Sequence, residues 1–132
     1  MNAFENIVKW NEERGLIANG FNHEKETSFI IEELLESTGE YDSVTARERA
    51  GEYAKEIVGN SSPTDEEVVD AFADIIVFAT GAIAKKGYEP SKVMEEVCKE
   101  INSRTGKLEG GKFVKDKDAV LYQADLAACK CE

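Results

Sequence analysis

Apolar residues recur at helical spacing along most of the chain and divide it into five helices. Phe4, Ile7, Val8 and Asn11 mark one face of a first helix from Asn2 to Arg14, which Gly15 stops. A turn around Gly20 leads to a second helix from Lys25 to Thr38, closed by Gly39. A third, shorter helix runs from Thr45 to Val58 and breaks at Gly59-Asn60-Ser61-Ser62-Pro63. Thr64, with Glu67 three residues on, has the form of a capping box and opens a fourth helix that runs to Lys86. Pro90 or Ser91 starts a fifth, which fades near Arg104. Beyond Gly106 the periodicity is lost. Gly110 to Asp116 reads as a turn with a short strand, and residues 116–132 as a tail that either packs or stays loose. The pattern predicts an all-α fold: one domain over residues 1–132, a helical bundle of about five helices with a short irregular C-terminal segment.

The fourth helix differs from the rest. Val69, Phe72, Ile75, Ile76, Val77, Phe78 and Ile83 leave it apolar on nearly every side over a span of about 34 Å. Such a helix belongs at the centre of a bundle, and a single chain of 132 residues has few helices to surround it. A homo-oligomer, dimer or tetramer, that covers it is therefore expected. The run from Val68 to Ala84 carries Asp70 and Asp74 and is too short and too charged for a bilayer span.

Charge narrows the partners. Sixteen Lys and Arg against 27 Asp and Glu give a net charge of −11, which disfavours duplex nucleic acid and anionic membranes as partners. Nucleotides stay open, since they arrive with magnesium and need few basic contacts. The start, Met1-Asn2-Ala3-Phe4-Glu5, lacks the basic and apolar regions of a signal peptide, and three cysteines without framework spacing fit a reducing cytoplasm. Cys129-Lys130-Cys131 reads as free tail thiols rather than a metal site.

Two acidic clusters interrupt this picture. Glu32, Glu33, Glu36 and Glu40 fall within one arc of about 100° on the second helix. Asp70 and Asp74 lie one turn apart on the fourth, and Asp74 is the sole charge between Ala71 and Ala84. An ionised aspartate in apolar surroundings is costly unless something positive compensates it. A cluster of carboxylates without Cys or His suits hard divalent cations, magnesium or manganese, rather than zinc. The single histidine, His23, lies outside both clusters, which disfavours a ferritin-like di-iron site. A solvated helix face is the competing reading, stronger for the glutamates than for Asp74.

A third feature is basic. Arg104, Lys107, Lys112 and Lys115 gather after the fifth helix of an otherwise acidic chain, either to meet phosphates or as ordinary surface cations. Gly106 to Lys112 matches most of a P-loop, but Phe113 stands where Ser or Thr should hold magnesium and no strand precedes it, so that pattern is rejected.

These residues together resemble the MazG-like, all-α nucleoside triphosphate pyrophosphohydrolases, a superfamily that includes phosphoribosyl-ATP pyrophosphohydrolases and dimeric dUTPases. Its signature is E-E-x-x-E on one helix and E-x-x-D on a later one. Glu32-Glu33-Leu34-Leu35-Glu36 matches the first part. In the second, Asp74 matches the final Asp but Ala71 stands three before it; Asp70, four before, resembles the D-x-x-x-D form of the phosphoribosyl-ATP branch. Asn102, Lys107 and Gly111-Lys112 resemble that branch's Asn, Lys and Gly-Lys turn, and the likeness covers roughly residues 1–118.

The resemblance implies hydrolysis of a nucleotide between its α and β phosphates, giving a monophosphate and pyrophosphate. It implies Glu33, Glu36 and Asp74 as magnesium ligands with Asp70 as the fourth, and Glu32 as either a further ligand or the base that orients water. Lys107, Lys112 and Arg104 would meet the leaving pyrophosphate, as would Asn102 the substrate. Trp10 and Asn11 are candidates for base contact, with a packing role equally open for Trp10. Two other classes compete: a non-catalytic helical module that binds a nucleotide or a protein, and a purely structural helical oligomer.

Overall fold

A computed structural model describes residues 1–110, 112–116 and 121–132, apart from the side chains of Lys112 and Lys115. The described chain is all-α with one small sheet: α1 (Ala3–Glu13), α2 (His23–Glu36), α3 (Ser43–Val58), α4 (Asp65–Lys85), α5 (Pro90–Ser103), strands β1 (Gly106–Glu109) and β2 (Lys112–Lys115), and a 3₁₀ turn at Leu126–Cys129. It divides into two compact units, Gly20–Thr64, and Met1–Asn19 together with Asp65–Glu132.

Side-chain caps set where three helices begin. Asn2 and Glu5 form a reciprocal capping box at α1. Asn22 Oδ1 accepts the Lys25 N–H at 3.0 Å, and Asp42 Oδ1 the Thr45 N–H at 2.8 Å. Helices α2 and α3 consequently start at His23 and Ser43, two residues before the apolar spacing would place them. The capped backbone donors let the helix reach back to the cap. The Thr45 N–H also holds the Asp42 carboxyl below its ordinary value.

In the first unit α2 packs along α3 as an αα-hairpin joined by residues 37–42. The α3 side of the seam is a row of alanines, Ala46, Ala50 and Ala54, all fully buried. Residues four apart share a helix face, and methyl groups let two backbones approach closely. There is no room there for a larger side chain. Ala50→Leu is expected to destabilise the chain by about 1–3 kcal/mol, measured by urea denaturation.

In the second unit α1 lies against α5. Trp10 Nε1 donates to the Ile101 carbonyl at 2.7 Å, and Asn102 Nδ2 to Asn6 Oδ1 at 3.0 Å. Gly15, at φ +73°, takes the left-handed conformation that ends α1. Strands β1 and β2 form an antiparallel hairpin, with Lys107 opposite Val114 and Glu109 opposite Lys112. Its Phe113 ring meets Trp10 edge-on at 5.1 Å. The Arg14 guanidinium lies 4.5 Å from the Trp10 ring centre and 5.5 Å from that of Phe113, a geometry in which a cation is attracted by both π faces. This hairpin, with a strand before the Gly110 turn and none leading into a helix, is not a P-loop.

Residues 121–132 are docked rather than loose; residues 117–120 of the expected tail lie outside the described residues. Glu96 Oε1 accepts the Tyr122 O–H and, at 2.9 Å, the Asp125 N–H, while Glu100 Oε1 accepts the Ala124 N–H at 3.0 Å. Further on, Glu89 N–H donates to the Cys129 carbonyl and Cys131 N–H to the Gly87 carbonyl, each at 2.9 Å. Gly87 makes that bend at φ +92°. Cys129 is 2 % exposed, and burial pushes its thiol up.

The hydrogen bonds from Tyr122, Asp125 and Lys99 bring the Glu96 carboxyl down from 4.5 to about 2. A carboxyl held low in the folded chain contributes stability that is complete above its ordinary value and lost as pH falls through the folded one. The docked segment should therefore hold at neutral pH and loosen between pH 4.5 and about 2. Proteolysis by pepsin across that window, releasing the segment progressively earlier as pH falls, checks this.

Helix α4 packs against α5 within its unit. Val69, Val77 and Phe78 nonetheless lie open, Phe78 at 77 % exposure. None of the described helices is long and apolar enough to cross a membrane.

Candidate functional site

The three clustered glutamates near the end of α2, Glu32, Glu33 and Glu36, do not share one environment. Glu32 is the buried one, 6 % exposed, and the Arg47 Nε lies 3.7 Å from its Oε1. Arg47 follows the first alanine of the α3 seam, so the close approach of the two helices carries its cation to the carboxylate. Glu33 is exposed and Glu36 half-buried. Both fall in the last turn of α2, which carries no basic residue. Carboxylates at a helix C-terminus oppose the helix dipole. Helix α4 differs: Asp65, Glu66 and Glu67 sit in its first turn, where the dipole favours them.

Asp70 and Asp74 project from α4 one turn apart, and both are exposed in the single chain. The burial that singled out Asp74 in the sequence is thus absent from one chain. Its apolar neighbours Ile75, Val77 and Phe78 are themselves exposed, so no low-dielectric wall surrounds it. Among the described residues no three His, Cys, Asp or Glu side chains converge as a metal-holding group. Each helix by itself offers a pair of carboxylates about one turn apart, all-oxygen chemistry of the kind hard divalent cations take.

The basic end of α5 is partly engaged. Arg104 Nη2 donates to Glu100 Oε2 at 3.0 Å, and Arg14 Nη2 to the Arg104 carbonyl at 3.4 Å. Lys107 is exposed on β1, its Nζ 3.4 Å from Glu109 Oε1. The side chain of Lys112 lies outside the described residues. The amide of Asn102 is directed to Asn6, and Asn11 Nδ2 donates to the Ile7 carbonyl at 2.7 Å. With its indole N–H given to Ile101 and its ring against Phe113, Trp10 is a packing aromatic where α1, α5 and the hairpin meet.

Three participants were not singled out in the sequence: Arg47 beside Glu32, Glu100 beside Arg104, and Arg14 over the Trp10 ring. The first left a signal, since alanines spaced by four at 46, 50 and 54 mark a close helix seam. The other two are pairs four residues apart, Glu100 with Arg104 and Trp10 with Arg14, a spacing that brings side chains together on one helix face.

Fold and site define an all-α chain bearing paired carboxylates on two helices and a cationic helix end that runs into a hairpin. Comparison with known protein families, with curated proteins and with solved structures finds no match.

Proposed function

We propose that the chain is a magnesium-dependent nucleotide pyrophosphohydrolase, similar to the MazG-like enzymes, that cleaves a nucleoside triphosphate or related nucleotide to a monophosphate and pyrophosphate. The observation that carries the reading is the Glu32–Glu36 turn of α2. One carboxylate is buried beside a cation, and two stand at a helix end that disfavours them. A charge set against the helix dipole is the kind of local conflict that functional sites carry.

In this reading the family resemblance assigns metal binding to Glu33, Glu36, Asp70 and Asp74, and the orienting of the attacking water to Glu32. Bound magnesium neutralises the polyphosphate and makes a coordinated water more acidic. Arg104, Lys107 and Lys112 receive the charge that develops on the leaving pyrophosphate. Asn102 contacts the substrate and Asn11 its base, while Trp10, taken up by Ile101, Phe113 and Arg14, packs behind them. The open apolar surface of α4 extends the reading to a homo-oligomer, dimer or tetramer, in which that helix is covered and the water around Asp74 is reduced. Three free cysteines fit a cytoplasmic protein.

The test is pyrophosphate release from a panel of ribo- and deoxyribonucleoside triphosphates with magnesium present. Release from at least one is expected. Tight nucleotide binding by calorimetry without turnover would instead favour a non-catalytic binding module, to which the substitution of Ala71 in the second acidic motif and the exposure of Asp70 and Asp74 also point.

A further inference from the structure

We propose that Glu100 is a positioning residue through which the docked C-terminal segment fixes Arg104 and, with it, the basic hairpin. The phosphate-binding part of this inference rests on the reading above; the mechanical part does not.

Glu100 uses both of its oxygens. Oε1 accepts the Ala124 N–H of the C-terminal segment at 3.0 Å, and Oε2 accepts Arg104 Nη2 at 3.0 Å. The backbone of Arg104 is gripped from its other side, its carbonyl accepting from Arg14 Nη2 at 3.4 Å. The same Arg14 guanidinium covers Trp10 and the hairpin's Phe113. A line of contacts thus runs from Ala124 through Glu100, Arg104 and Arg14 to the strand that follows the Gly110 turn. One helical turn before Glu100, Glu96 anchors the same segment through Tyr122 and Asp125, and its second oxygen meets Lys99 Nζ at 3.0 Å.

An exposed Glu–Arg pair four residues apart on a helix contributes little by itself, because both side chains keep many rotamers. The arrangement at Glu100 differs in that its second oxygen is tied to another segment and Arg104 is half-buried. With the segment docked, the carboxylate has one orientation and the guanidinium follows it. With the segment undocked, Glu100 regains its rotamers, and Arg104 and the hairpin loosen together. Docking therefore raises the affinity of the hairpin end for a phosphate anion, and by linkage the anion favours docking.

The full chain supplies its own probes. Cys98 and Cys129 are buried and Cys131 is exposed, so reaction with an aromatic disulfide reports undocking as a second fast thiol. Trp10 is the single tryptophan and reports the hairpin by its emission. Tyr122→Phe removes one anchor at Glu96 and leaves Glu100 and Arg104 in place. It should speed Cys129 labelling about tenfold, the effect of one hydrogen bond to a carboxylate. It should also shift Trp10 emission and weaken binding of inorganic pyrophosphate with magnesium several-fold by calorimetry. Glu100→Gln, which leaves one accepting oxygen for two donors, should shift the emission likewise. In the wild-type chain inorganic pyrophosphate should slow Cys129 labelling.

Fast Cys129 labelling in Tyr122→Phe with wild-type Trp10 emission would overturn the proposal, whether or not pyrophosphate binds. So would a Glu100→Gln chain that matches wild type in both labelling and emission. A response of Trp10 to both substitutions in a chain that binds no pyrophosphate supports the mechanical coupling and counts against the pyrophosphohydrolase reading.

Discussion

Glu36→Gln is expected to lower magnesium-dependent pyrophosphate release at least about a hundredfold while leaving the metal-free chain as stable as wild type or slightly more so. The two effects have separate origins. In the proposed site the carboxylate is a metal ligand, and a neutral amide is a poor substitute for it. In the fold, Glu36 is the last residue of α2, where a negative charge opposes the helix dipole. Neutralising it should stabilise the chain by about 0.5 kcal/mol. Magnesium should raise the melting temperature of the wild-type chain and lose that effect in the variant. Activity assays paired with thermal denaturation, with and without magnesium, read both. Equal pyrophosphate release by the two chains would remove Glu36 from the site, and a loss of activity explained by unfolding would appear as a lowered melting temperature without metal.

Phe78→Asp is expected to dissociate the proposed homo-oligomer. Phe78 and Val77 present apolar surface on α4 that the single chain leaves open. An aspartate there is solvated in a lone chain and carries little cost, but in an interface it would be buried without a partner. Association should weaken about a hundredfold, seen by analytical ultracentrifugation as a fall to the monomer mass with the helical circular dichroism unchanged. A wild-type chain that sediments as a monomer at all concentrations would refute the oligomer and leave the open face of α4 to some other cover.

The helices were legible because each rests on periodicity over three or more turns, a signal carried by many residues at once. Their starts were less so. The apolar spacing begins at Lys25 and Thr45, whereas Asn22 and Asp42 extend α2 and α3 back to His23 and Ser43. A cap is a single side chain, and a single side chain is weak evidence in a sequence. The docking of residues 121–132 was not readable at all. It depends on Glu96 and Glu100 accepting backbone N–H groups more than twenty positions away, and a backbone donor has no residue identity to recognise.

The candidate site divides along the same line. The Glu32 to Glu36 spacing stands in the sequence, but not which of the three is buried, since that depends on the alanine face of a different helix. Asp74 has apolar neighbours along the sequence, but in the single chain Ile75, Val77 and Phe78 are open to solvent, so that apolar setting is not one the single chain builds in space.

The alanine seam of α3 has one more consequence. Leucine or isoleucine at a helix interface must be frozen into one rotamer, and that lost freedom opposes association. Ala46, Ala50 and Ala54 have no rotamers to lose. The α3 side of the seam therefore closes without loss of side-chain freedom, and only α2, Glu32 included, has rotamers to order there.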